Sequence, residues 1–194
     1  MVTAPGPLQP LADAERSATV LRDMHRWLER AVIGLNLCPF ARGVHARGQV
    51  RWVVSAATAT DDILAELAQE LTLLDQADPL QHDTTLLVLP DALPDFLDFN
   101  DFLDAADAAV EALGLEGELQ VASFHPRYQF AGTSPDDIGN FTNRAPWPAL
   151  HLLREASLAQ AIDSFGDTDA IYTANIQRLH QLGLAGWQAL LRDA

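Results

Sequence analysis

The chain contains no lysine, and all twelve basic residues among its 194 are arginine. A Schiff-base lysine and a Walker-type phosphate loop both need an ammonium, so both are excluded. Cysteine occurs once, at Cys38, so no internal disulfide can form and a reducing, cytoplasmic setting is expected. No apolar run approaches the roughly 18 residues of a membrane span, so no membrane partner is expected. The opening MVTAPGPLQPLADAE lacks the basic start and apolar segment of an export signal. GxGxxG after a strand, GxSxG, HExxH, CxxC and an EF-hand loop are also missing. Standard dinucleotide, serine-hydrolase, zinc-protease and thioredoxin chemistries are therefore poorly supported.

Acid, by contrast, is abundant, and the formal net charge is -15. From Trp52 to His125 there are sixteen acids and no arginine, which leaves eleven acids and twelve arginines in the remainder, a formal +1. An acidic middle repels phosphate backbones, so no nucleic-acid partner is expected. The near-neutral remainder holds every arginine and leaves room for a local positive pocket. Genomic composition is the simplest source of the all-arginine usage.

Hydrophobic residues make up 48% of the chain, enough to bury a core within one domain. Residues 1–10, with three prolines and a glycine, read as a flexible lead-in, and residues 11–194 as the domain. Val20, Leu21, Met24, Trp27, Leu28, Ala31, Val32 and Leu35 recur at helical spacing, and Pro39 should stop that helix near Leu37 or Cys38. VRWVVSAA from Val50 reads as a strand. A capping box of Thr58 and Asp61 then opens a second helix, with Ile63, Leu64, Leu67, Leu71 and Leu74 buried. DTTLLVLP is a second strand, DFLDFNDFLDAADAAVEALG a helix with Phe99, Phe102, Leu103, Ala106, Val110 and Leu113 inward and Gly114 at its end, and LQVASF a third strand. This succession implies parallel pairing through right-handed crossovers, with ligands at the carboxyl ends of the strands, where His125 would sit. ALHLLREAS reads either as a helix placing His151 and Glu155 one turn apart, or as a strand holding them about 13 Å apart. A second capping box, Ser157 with Gln160, favours an edge strand followed by a helix. The tail is helical, broken near Gly183 to Gly186. The fold expected is a single α/β domain, a small mixed sheet of about four strands packed with helices, the first and last helices covering one another or the same face.

The stretch from Phe124 to Glu155 carries two of six histidines, three of twelve arginines and four of eleven prolines. A long loop of that composition reads as an ordered binding loop. His125, before a proline at a strand end, suits a general base or metal ligand, or a structural histidine bonded to loop backbone. Arg127, Arg144 and Arg154 flank the loop; converging, they would hold a carboxylate or phosphate, and otherwise they pair with Asp136, Asp137 or Glu155. Asn143 and His151 complete the substrate-binding candidates. Cys38 is the candidate nucleophile or ligand, although a helix C-terminus disfavours its thiolate and Arg42 would have to compensate.

The pieces WLERAVIGLNLCPFAR, DTTLLVLP, DFLDFNDFLD, LQVASFHPRYQFAG, TNRAPWPALHLLREAS and DAIYTANI resemble a bacterial family catalogued only as domain of unknown function 1415. The resemblance spans nearly the whole chain after the first twenty or so residues. It implies a single intact domain, bacterial origin and a cytoplasmic location, and it brings no assigned activity, cofactor or catalytic residue.

The leading expectation is an enzyme acting on a small anionic metabolite, with His125 as acid/base, Cys38 as nucleophile or ligand, and Arg144 and Arg154 binding the anion. The alternative is a metal- or ligand-binding protein without turnover, using His125, His151 and a carboxylate. A third class is an interaction module that offers its acidic helices to a basic partner.

Overall fold

Five- and six-residue strands with alternating side chains divide the protein into two apolar layers. The computed structural model describes residues 9–165 and 168–192, with side chains described for 14–163 and 171–192. The expected lead-in lies outside the described residues except for Gln9 and Pro10, which are helical. Strands β1 (Val50–Val54), β2 (Thr84–Val88), β3 (Leu119–Phe124) and β4 (Ala149–Arg154) form one sheet in the order β1-β2-β4-β3. β1 and β2 are parallel, while β4 runs antiparallel to both of its neighbours. The α/β fold with a small mixed sheet is therefore as expected, but two details differ. β3 shares the direction of β2 without pairing with it, because β4 lies between them. β4 is also interior rather than an edge: Ala149, Leu150 and Leu152 are fully buried on its two faces, a pattern that belongs in the middle of a sheet.

One face packs on α3 (Thr60–Gln76) and α4 (Phe96–Ala112), where Leu87, Leu150 and Leu152 of the sheet meet Ile63, Leu67, Leu71 and Phe99. Each fully buried leucine there contributes roughly 2 kcal/mol. The other face presents Trp52, Leu86, Val88 and Phe124 to Val20, Met24, Trp27 and Leu28 of the first helical stretch and to Leu179 and Trp187 near the C-terminus. First and last helices thus share a face. α3 opens at Thr60 without a side-chain cap, so the Thr58 box is not formed. In α4, Phe99, Phe102, Ala106 and Val110 are buried as their spacing requires, whereas Leu113 is 41% exposed and Gly114 ends the helix with φ +69°.

The first helix, α1 (Gln9–Arg26), continues as a π-helical segment, Trp27–Ile33. Its wider turn keeps both pairs, Trp27 with Ala31 and Leu28 with Val32, against the sheet. Gly34 follows where a Cβ would come within 2.2 Å of the Arg30 carbonyl oxygen, and Asn36 (φ 52°) turns the chain away earlier than Pro39 alone would. The freed carbonyls of Asn36 and Leu37 accept hydrogen bonds from Arg178 (3.1 Å) and Asn175 (2.7 Å). Those residues belong to the last helix, α6 (Thr168–Leu191), which breaks at Gly183 as expected. A short α2 (Ala41–Ala46) leads into β1, and α5 (Glu155–Phe165) follows β4 directly. Ser157 does not cap α5; its hydroxyl donates to Asp83 Oδ1 at 2.6 Å.

Candidate functional site

A long loop cannot use ladder bonds, so its backbone polar groups must find side chains. In the segment between β3 and β4, the charged and amide residues do this work. Asn140, fully buried, accepts from the Phe130 N–H (3.0 Å) and the Thr133 hydroxyl (2.9 Å) and donates to the Ser134 carbonyl (2.8 Å). Arg144 donates to the carbonyls of Tyr128 (3.1 Å) and Pro135 (2.7 Å) and lies 4.3 Å over the Phe141 ring. Arg127 bonds the Pro94 carbonyl and the Asp95 carboxylate, tying the loop to the start of α4. Asn143 donates to the Ser123 carbonyl, and its own carbonyl accepts from the His125 N–H. Arg154 points to the other end of the fold, where it donates to the Leu74 and Ala77 carbonyls and caps α3, a position that favours a cation, and where it also borders a cavity, with its Nε buried and unpaired. The three arginines do not converge.

His125 is 1% exposed, between Phe96 and Phe99 with ring centroids 5.5 and 5.1 Å away. Its Nε2 lies 3.2 Å from the Leu93 carbonyl, which can only accept, so Nε2 carries the proton. Nδ1 then accepts from the Arg127 N–H at 3.0 Å, and both ring nitrogens are occupied. Burial pushes its pKa below the usual histidine value. The Leu93 it holds has a left-handed φ of 51°. His125 therefore packs on the α4 face, whereas Cys38 belongs to the apolar layer on the other face. The sheet separates the two residues the sequence pairs as catalytic.

Cys38 and His151, however, come to the same place. A cavity of about 600 Å³ lies on the α1 face, at the end of the sheet where β1 and β2 begin, opposite to the strand ends expected to gather ligands. The helical cover ends early at Gly34, and the chain from Cys38 to Arg47, with the start of α5, roofs the remainder. Its walls are mainly apolar, with Trp27, Leu28, Val32, Phe40, Leu86 and Phe124 among them. Burial raises the Cys38 thiol pKa, outweighing the nearby backbone N–H groups of Phe40 and Ala41 at the start of α2, which favour the thiolate. Arg42, expected to favour the thiolate, donates to the Ile33 carbonyl instead.

His151 sits in the cavity wall, hydrogen-bonded through Nε2 to Thr84 Oγ1 at 2.8 Å, with its pKa lowered to about 4 by burial. Sequence reasoning missed Arg47, Gln49 and Thr84, which also line the cavity. Arg47 is exposed at its edge; its Nε donates to Gln49 Oε1 at 2.6 Å, and a side chain at Gly43 would come within 3.1 Å of its Nη1. Its amino groups meet no acceptor among the described residues. No sequence signal marked these three, since each lies alone in an ordinary strand end or turn.

A family model described as a protein of unknown function, DUF1415, matches residues 19–189. The chain belongs to this family. No curated protein and no solved structure matches it. Among the described residues of this DUF1415 protein, no three histidine, cysteine or acidic side chains gather where they could hold one metal ion. His125 and His151 in particular face opposite sides of the sheet, so they do not share an ion. No helix among the described residues is long and apolar enough to cross a membrane.

Proposed function

We propose that this protein is a cytoplasmic enzyme for a small amphipathic anion, an apolar body ending in a carboxylate or similar acid head, held in the cavity beneath residues 38–47. The carrying observation is the pairing of an apolar cavity of about 600 Å³ with Arg47 at its edge, whose guanidinium amino groups are unspent. Cavities of this size and lining are typical of small-molecule sites, and a guanidinium binds a carboxylate with fixed geometry. Chemistry on the bound molecule would draw on Cys38 and His151, both in the wall. The single cysteine, half-buried and free, supports the cytoplasmic setting.

Calorimetric titration with octanoate tests the reading, with octan-1-ol as the uncharged control. Octanoate should bind, and Arg47→Met, which keeps the stem and removes the charge, should weaken it about tenfold while leaving octanol unchanged. Equal octanoate affinity in both proteins, or none in either, would overturn the proposal.

A further inference from the structure

The proton positions around His151 follow from one hydroxyl. Thr84 Oγ1 lies 2.6 Å from the Leu152 carbonyl oxygen, which has no hydrogen to give, so the single hydroxyl proton of Thr84 is committed there. The same Oγ1 is 2.8 Å from Nε2 of His151 and can only accept along that line. Nε2 therefore carries the ring proton, and the neutral ring bears its lone pair on Nδ1. Thr84, at 7% exposure on an interior strand, cannot readily turn away from this arrangement. Nδ1 has no partner among the described residues, although the ring borders the cavity. An acceptor without a protein partner beside a mainly apolar space discriminates between occupants, because a molecule without a donor leaves it unpaired.

We infer that Nδ1 of His151 accepts a hydrogen bond from the occupant of the cavity, that the natural ligand carries a hydroxyl or N–H donor on its apolar body, and that Thr84 is the positioning residue that fixes this polarity. The inference rests on the reading of the cavity as a ligand site and narrows its occupant to hydroxy- or amido-substituted anions. The Thr84 hydroxyl acts only through the ring.

The test uses neutral probes, so that it does not depend on Arg47. In two-bond proton–nitrogen NMR spectra of the intact protein, His151 should show the Nε2–H tautomer. Phenol, which offers a donor, should shift the Nδ1 resonance, and toluene, which has the same outline without one, should not. Thr84→Val should mix the tautomers and weaken phenol about fivefold with toluene unchanged, and Thr84→Ser should restore the wild-type spectrum and affinity. A merely structural threonine would not move the tautomer. An Nδ1–H tautomer in the wild type, or phenol and toluene that respond alike to Thr84→Val, would overturn the inference and leave the octanoate result untouched. Failure of phenol to perturb His151 at saturating concentration would overturn it as well.

Discussion

Replacing His151 should change how stability depends on pH, in a way that follows from its position. In the folded protein its pKa is lowered to about 4 from 6.5, because the surrounding protein strips water from the charged ring. The unfolded chain therefore takes up a proton near pH 6.5 that the folded protein refuses. Stability is fully present above about 6.5 and is lost as pH falls towards 4, below which no further loss comes from this group. The gap, at about 1.4 kcal/mol for each pH unit, amounts to about 3 kcal/mol in total, of which about 2 kcal/mol is gone by pH 5. These are upper figures, since the residue is only partly shielded from solvent. Urea unfolding of the wild type and of His151→Leu between pH 7.5 and pH 4.5 isolates the effect, because every carboxylate and the other histidines titrate in both proteins. The wild type should lose stability relative to the variant as the solution is acidified. Parallel profiles would refute the reasoning by showing that His151 titrates normally in the folded state.

Gly34→Ala should destabilise the fold by about 1–3 kcal/mol in denaturant unfolding, because the new methyl group would lie 2.2 Å from the Arg30 carbonyl oxygen. A neutral result would mean the π-helical segment adjusts freely. Asn140→Ala removes the bonds to the Phe130 N–H and the Ser134 carbonyl, and a share of the Thr133 hydroxyl proton that also faces the Phe130 carbonyl, from a fully buried site and should cost about 2–3 kcal/mol, with faster amide exchange concentrated between Phe130 and Asn143. Exchange unchanged in that segment would show that other groups hold the loop. Cys38, with its thiol pKa raised by burial, should react slowly with iodoacetamide at pH 7 and accelerate only above the usual cysteine range. Octanoate should slow that reaction further if it fills the same cavity, and rapid labelling at pH 7 would show an activated thiolate instead.

The strands and the helices of the sheet layers were legible because burial imposes a period on them. Val50–Val54, Thr84–Val88 and Leu119–Phe124 stand where alternation and branched residues put them, and the buried face of α4 repeats the spacing of Phe99, Phe102, Ala106 and Val110. The interior position of β4 was not legible, since the Ser157–Gln160 pattern of a capping box is served by a different bond, from Ser157 to Asp83. The conversion of α1 to a π-helix was also hidden, because the same apolar residues satisfy an α-helical stripe. What distinguishes the two is the overlap that a side chain at Gly34 would create, which appears only in three dimensions.

The site was harder to read than the fold because residue type does not record how much bonding capacity the fold consumes. Arg144 and Arg47 are the same side chain, yet Arg144 gives its guanidinium to two loop carbonyls and an aromatic face, while Arg47 gives one nitrogen to Gln49 and keeps the rest. His125 and His151 differ in the same way: the first has both ring nitrogens engaged by Leu93 and Arg127, the second only Nε2, by Thr84. The density of histidine, arginine and asparagine between Phe124 and Glu155 reflects a loop that must satisfy its own backbone without a ladder. Polar residues in such a loop are abundant and mostly spent. The cavity draws Cys38, Arg47, Thr84 and His151 from segments far apart in the chain, so no local pattern could gather them. Unspent hydrogen-bonding capacity beside a mainly apolar space, rather than polar density along the sequence, is what picks out Arg47 and His151, with the unpaired Nε of Arg154, as the groups to test first.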